Sequence, residues 1–257
     1  MRHTKQGWAI VDRDTHLGRW VEQVGRLDFD QSALGCYQHL FRKGDVLLNV
    51  GANIGCYASA FVDRASQVIC MEPNAEALEC LRHNMAGRKN VIIHPFAASD
   101  RAARCDVRCE GDNIGMAYVE ESETGAVESR PIDSLGLARV DFILMDCEGF
   151  EVRALDGAMA TIRRCQPIMV IEVNDVTLAR AGFSRGQLLA WLEAEGYSFR
   201  NIYGAQGLAE EQLDIICFPR SRQAETIAWG YVSPWKRLRA WWTKTRRRIK
   251  NLLLGRS

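Results

Sequence analysis

Residues 46–55 read VLLNVGANIG, an apolar run that ends in Gly51 and reaches Gly55 four residues later. A short apolar run closed by glycine and followed by a helix-like stretch reads as a strand that hands the chain to a helix N-terminus. Glycines at 51 and 55 let backbone approach a bound molecule with no Cβ in the way, and the first amides of the next helix are donors without partners. A tight strand-to-helix turn with no ligand uses the same two glycines, so the rest of the chain has to discriminate.

Downstream, short apolar runs alternate with helical stretches. After VLLNV come a helix over about 54–64, the strand QVICME (67–72), a helix over about 74–85 and the strand NVIIHPF (90–96). This rhythm predicts βαβ units and a parallel sheet. Residues 100–140 interrupt it: RCDVRC, MAYVE and ESRPID read as short strands or loops covering one end of the sheet. The rhythm returns with VDFILMD (140–146), then a helix carrying Val152, Leu155, Met159 and Ile162 on one side, then PIMVIEV (167–173) and a helix within 182–197. SFRNIY and LDIICFP complete seven strands as a terminal antiparallel hairpin.

Four polar residues fall at strand ends: Asn49, Glu72, Asp146 and Glu172. In a parallel sheet the carboxyl ends of the strands open onto one crevice, so these residues converge. Glu72 lies 21 residues beyond Gly51, the spacing at which an acid on the second strand accepts hydrogen bonds from a ribose diol. GANIG lacks the G-x-G opening that seats a pyrophosphate, which favours a cofactor without phosphates.

Taken in order, NVGANIG, MEPN, AASD, DFILMDCEGFE and PIMVIE resemble the FkbM-type S-adenosylmethionine-dependent methyltransferases over about residues 44–175. The resemblance implies a class I methyltransferase fold, an α/β Rossmann-like domain with a seven-stranded, mostly parallel sheet and helices on both faces. It also implies O-methylation of a hydroxyl on a sugar, polyketide or other small metabolite. Carried over position by position, the Gly51–Asn53–Gly55 loop faces the methionine half of the cofactor, Glu72 its ribose and Ala97 its adenine side. At two positions the chain departs from the pattern: Asn49 stands where the family usually has an acid, and Leu144 where it usually has a lysine. Asn49 can hydrogen-bond the cofactor's amino-acid moiety but lacks a carboxylate's attraction for its ammonium.

Methyl transfer to an alcohol needs in-line alignment and help with deprotonation, from a base or a divalent ion. Asp146 is the expected group nearest the reacting centre, as base or metal ligand, with Glu148 and Glu172 completing an acidic pocket and Glu151 holding the turn. Helix N-terminal capping is the plainer role for Glu148 and Glu151, and His94, after the third strand, reads as an edge residue. Two other functions fit parts of the pattern: a methyltransferase-fold scaffold that has lost activity through Asn49 or Leu144, and a nucleotide-sugar transferase with Asp146 and Glu148 holding a metal.

With 257 residues and 47% hydrophobic content, the chain suits one large α/β domain. The expected organisation is an N-terminal lid or edge module over 1–44, the methyltransferase domain over 45–220 and a tail over 221–257. Within the module, QSALGCYQHLFRKG reads as a helix with Ser32 as cap, whereas HLGRWVEQVGRLDFD is too polar and glycine-broken to assign. Nine lysines and arginines and no acid follow Glu225, so a total charge of +1 leaves −8 on residues 1–225. An acidic body argues against a general grip on nucleic acid. The tail interleaves Trp229, Trp235, Trp241 and Trp242 with cations, the composition of a helix resting on an anionic membrane surface. Partner docking and nucleic-acid contact are the alternatives. Cysteines embedded in apolar patterns and the lack of a signal-like or spanning apolar stretch lead to the expectation of a reducing, cytoplasmic setting, peripheral on the inner membrane face through the tail. Cys105 and Cys109 have no second ligand pair, so no zinc site is expected.

Overall fold

The computed structural model describes residues 1–27, 31–202 and 212–222. Its centre is a seven-stranded sheet whose strands are β1 Val46–Val50, β2 Gln67–Met71, β3 Val91–His94, β4 Phe142–Met145, β5 Ile168–Asn174, β6 Tyr197–Asn201 and β7 Gln212–Pro219. Their spatial order is β6-β7-β5-β4-β1-β2-β3. All neighbours pair in parallel except β7, which runs antiparallel to both β5 and β6. The strand order reverses between β1 and β4, the switch point at which open α/β sheets leave a crevice. The segment joining β6 to β7 lies outside the described residues, as do 28–30 and the tail from 223 onward.

Every residue of β1 is buried, because both faces of the sheet are covered. One face packs helices α1 Leu17–Val24, α2 Gln31–Tyr37, α3 Cys56–Phe61 and α4 Ala75–Asn84, through Val21, Leu34, Phe61 and Leu81 against Leu47 and Phe142. The opposite face receives Val152 and Leu155 from α5 Glu151–Asp156, Ile162 from α6 Met159–Cys165, Leu178 from α7 Asp175–Arg180, and Leu188 and Leu192 from α8 Arg185–Ala194. Ala9, Ile10, Val21, Leu27, Leu34, Tyr37 and Phe41 belong to the same apolar cluster as the sheet, so the described part of the N-terminal segment forms part of the core face. Its short strand is pinned by Asn84, whose amide accepts from the Ala9 N–H (2.7 Å) and donates to the Ala9 and Ile54 carbonyls (2.9 and 2.8 Å).

Several boundaries differ from the sequence reading. The helix expected over 54–64 spans Cys56–Phe61. The single helix expected after Asp146 is two, α5 and α6, broken at Gly157, where a Cβ would stand 1.9 Å from the Ser99 carbonyl oxygen. Helix α1 forms despite its glycine and polar content because the buried Asp14 carboxylate accepts from the His16 and Gly18 amides. The QSALGCYQHLFRKG helix ends at Tyr37 and continues as a 3-10 turn to Leu40; the Ser32 side chain lies outside what is described. The interrupting region makes a four-stranded sheet of its own, from Ala97–Ala98, Ala103–Arg108, Tyr118–Glu121 and Val127–Arg130. It is tied to α5 by Arg153, which bonds Asp100 (3.1 Å) and Glu121 (3.2 Å).

Candidate active site

The site has two halves that meet at the switch point. The first is the turn after β1. The Gly51 and Ala52 amides both donate to the Met71 carbonyl at 3.0 Å, so the turn is fastened to the end of β2. Gly51 (φ 76°) cannot carry a side chain: a Cβ would lie 1.7 Å from the Asp146 carbonyl oxygen. That position is glycine because the ends of β1 and β4 touch. A Cβ at Gly55 would meet the side chains of Leu81 (2.9 Å) and Met85 (3.3 Å). Packing therefore accounts for both glycines, beside any ligand. Asn53 takes the left-handed conformation (φ 49°), which asparagine tolerates better than most residues.

Glu72, buried at the end of β2, accepts the Asn53 amide on one carboxylate oxygen and the Asn74 amide on the other, both at 2.7 Å. Burial pushes its carboxyl up to about 7 against the pull of these two bonds. The same Asn74 caps α4 by accepting from the Glu76 and Ala77 amides, so Glu72 couples the glycine turn to a helix start. Asn49 is fully buried and neither its Oδ1 nor its Nδ2 has a hydrogen-bond partner among the described residues. An unsatisfied buried amide costs about 1–3 kcal/mol, which a polar group of a bound molecule or a water would recover. An aspartate here would be a buried charge without a cation, so the family's acid would be costly at this position in the present packing.

The second half is acidic. Asp146, Glu148 and Glu172 bring carboxylate oxygens within 4.8 Å of one another, an arrangement that can share protons or accept a divalent cation. Burial, then Glu172, Glu148 and Asp214, hold the Asp146 carboxyl well above the ordinary range. Burial and the neighbouring Glu172 and Glu151 push Glu148 up to about 8, with Arg180 acting in the opposite sense. Glu151 turns inward at the start of α5: one oxygen accepts the Cys147 (3.1 Å) and Gly149 (3.3 Å) amides, and burial raises its carboxyl to about 7. The tie holds a turn with left-handed Glu148 (φ 54°) and Gly149 (φ 109°). Glu148 is thereby presented to the cluster and caps no helix.

Ala97 is buried in the small sheet, in register with Ser129. His94 ends β3, with its ring 5.5 Å from Phe96 and its pKa lowered by burial and by Arg130. Two residues beside the acidic half escaped the sequence reading. Asp214 stands opposite Glu172 in the β5–β7 register. Because β7 is antiparallel, its beginning lies where the parallel strands end, and only that direction would have revealed it. Arg180, last in α7, carries no motif.

A family model for the FkbM methyltransferase domain matches residues 49–199. The chain belongs to the FkbM methyltransferase family. Strands β2 to β5 and the site residues from Asn49 to Glu172 fall inside the matched span, and the nucleotide-sugar transferase alternative gives way to methyltransferase membership. A search of curated proteins finds no match. Among solved structures the domain is similar to a methyltransferase FkbM from Methylobacillus flagellatus (19% identity, 69% of this chain and 44% of that one, TM-score 0.46). It is also similar to an rRNA methylase from Streptococcus thermophilus (6%, 75% and 96%, TM-score 0.48) and to a TehB-like SAM-dependent methyltransferase from Corynebacterium glutamicum (13%, 78% and 92%, TM-score 0.47). The FkbM domain described here thus spans less than half the length of the first of these proteins. No helix among the described residues is long and apolar enough to cross a membrane.

Proposed function

We propose that this FkbM-family chain transfers a methyl group from S-adenosylmethionine to a hydroxyl of a sugar, glycan or other small metabolite. The observation that carries the reading is the abutment of the Glu72-braced glycine turn on the Asp146 carboxyl end, at the switch point of the sheet. S-adenosylmethionine supplies an electrophilic methyl on a sulfonium. Glu72, already fixed by two amides, has lone pairs left for ribose hydroxyls; the unpaired Asn49 amide suits the polar methionine end. The buried turn at Gly51, Asn53 and Gly55 shapes the floor, and Ala97 is assigned to the adenine side.

Asp146 takes the proton of the acceptor hydroxyl. Its raised pKa makes it a stronger base than an ordinary carboxylate once ionised. Glu148 and Glu172 keep that pKa high through like charge, and Glu151 holds the turn that presents Glu148. The acids titrate as one coupled set. Asp146→Asn is expected to lower kcat by roughly 10²–10⁴-fold while leaving the calorimetric Kd for S-adenosylmethionine within about twofold. Full turnover in that variant would remove the base assignment, and loss of turnover on chelation would point to a cation in the same cluster. No binding of S-adenosylmethionine to the native chain would favour a scaffold role instead.

The tail, outside the described residues, is proposed to rest on an anionic membrane surface through its tryptophans and cations. Equal sedimentation with anionic vesicles by the full chain and by a chain lacking 226–257 would end that proposal.

A further inference from the structure

The mouth of the acidic half is framed by two elements distant in sequence. The Arg180 guanidinium, at the end of α7, lies 4.0 Å from the centre of the Tyr118 ring, at the start of a strand of the small sheet. Tyr118 is steadied from the other side by its hydroxyl, which donates to Glu110 at 3.3 Å. No carboxylate of the described residues forms an ion pair with Arg180, although its charge reaches Glu148. Of the five large apolar side chains exposed among the described residues, two stand within four positions of the stacked residues. Val176 (54% exposed) stands one helical turn before Arg180 on α7, and Met116 (49% exposed) two residues before Tyr118. Singly exposed apolar residues need no explanation; two so near a stacked cation in the chain put apolar surface on the same elements as its charge.

The chemistry of such a stack is specific. An arginine stacked face-on uses its π surface and leaves its N–H edge in the plane, where it can bind a two-oxygen anion in bidentate fashion. Beside Asp146, Glu148, Glu172 and Asp214, any acid of the set that is ionised repels an anionic molecule unless a cation receives its charge. Arg180 is placed to do so while the uncharged remainder reaches the acids. We propose that Tyr118 and Arg180, together with Met116 and Val176, form the acceptor-recognition platform, selecting acceptors that carry a carboxylate or phosphate beside an apolar or ring-shaped face. This rests on the reading of the acidic half as the reacting end.

The test uses the full chain and three probes: 4-nitrophenyl glucuronide, 4-nitrophenyl phosphate and the neutral 4-nitrophenyl glucoside, titrated by ligand-observed NMR. The wild type should bind at least one anionic probe about fivefold or more tightly than the glucoside, a margin typical of one charge-assisted contact. The stronger anionic arm then separates carboxylate from phosphate. Arg180→Gln should abolish the preference and leave glucoside binding unchanged; Tyr118→Phe, which keeps the ring, should retain it. Absence of anionic preference in the wild type, or its persistence in Arg180→Gln, would overturn the proposal. S-adenosylmethionine binding, measured in parallel, separates the two readings. Arg180-dependent anion binding without cofactor binding sinks the methyltransferase reading alone; cofactor binding without Arg180-dependent anion binding sinks the platform alone.

Discussion

The two halves of the site handle buried carboxylates in opposite ways. In the glycine-turn half, both oxygens of Glu72 are engaged by backbone amides, so its charge is met by dipoles already in place. In the acidic half, Asp146, Glu148 and Glu172 bring carboxylate oxygens within 4.8 Å of one another, and like charge adds to burial in raising Asp146 and Glu148. The first arrangement fixes geometry. The second adds like charge to burial and so raises proton affinity further, from about 7 at Glu72 to about 8 at Glu148, and this division suits a reaction in which one partner must be held and the other deprotonated.

The contrast can be broken most severely where the halves touch. Gly51→Ala places a Cβ against the Asp146 carbonyl, and a loss of about 3 kcal/mol or more in urea-denaturation stability is expected. An unchanged midpoint would mean that β1 and β4 do not meet as described. Glu72→Gln leaves one amide facing an NH₂ group, so stability should fall by about 1–2 kcal/mol and S-adenosylmethionine affinity by roughly tenfold. Equal affinity in calorimetry would detach Glu72 from the cofactor.

The acidic half is sharpened by pH. The folded protein holds protons on its acids up to about 8 at Glu148, whereas the unfolded chain releases them in the ordinary carboxylate range. Stability is therefore fully present at acid pH and declines as pH rises from about 5 through about 8. Glu148→Gln should flatten that decline by about 1 kcal/mol, read from melting temperatures at pH 6 and pH 9; an unaltered slope would show the cluster ionised without cost. The smallest effect is expected at Asn49. Asn49→Leu removes two unpaired buried atoms, so stability should stay level or rise by about 1 kcal/mol while cofactor affinity drops. A large loss of stability would reveal a partner for the amide within the fold.

How far each half was legible follows from what signals it. The glycine turn and Glu72 follow short apolar runs, and the central strands β1, β2, β4 and β5 were legible as such runs, because strands buried on both faces leave little choice of residue. Asp146 and Glu172 were visible for the same reason. Asp214 was not, because strand direction is a tertiary property and β7 enters the sheet antiparallel to its neighbours. Helix α7, six residues long, is too short to show a helical period, and Arg180 was hidden with it. Gly157 broke a periodic pattern because of the Ser99 carbonyl, a contact with a segment more than fifty positions earlier.

Asn84 has a consequence for the order of folding. It joins Ala9, 75 positions earlier, to Ile54 in the glycine turn. During synthesis at roughly 5–20 residues per second, the first strand therefore waits about 4–15 s for its anchor. The N-terminal strand and the turn at the centre of the site are locked by one side chain, made after both. Amide hydrogen exchange at Ala9 should accordingly track exchange at Asn53, and Asn84→Ala should speed both together.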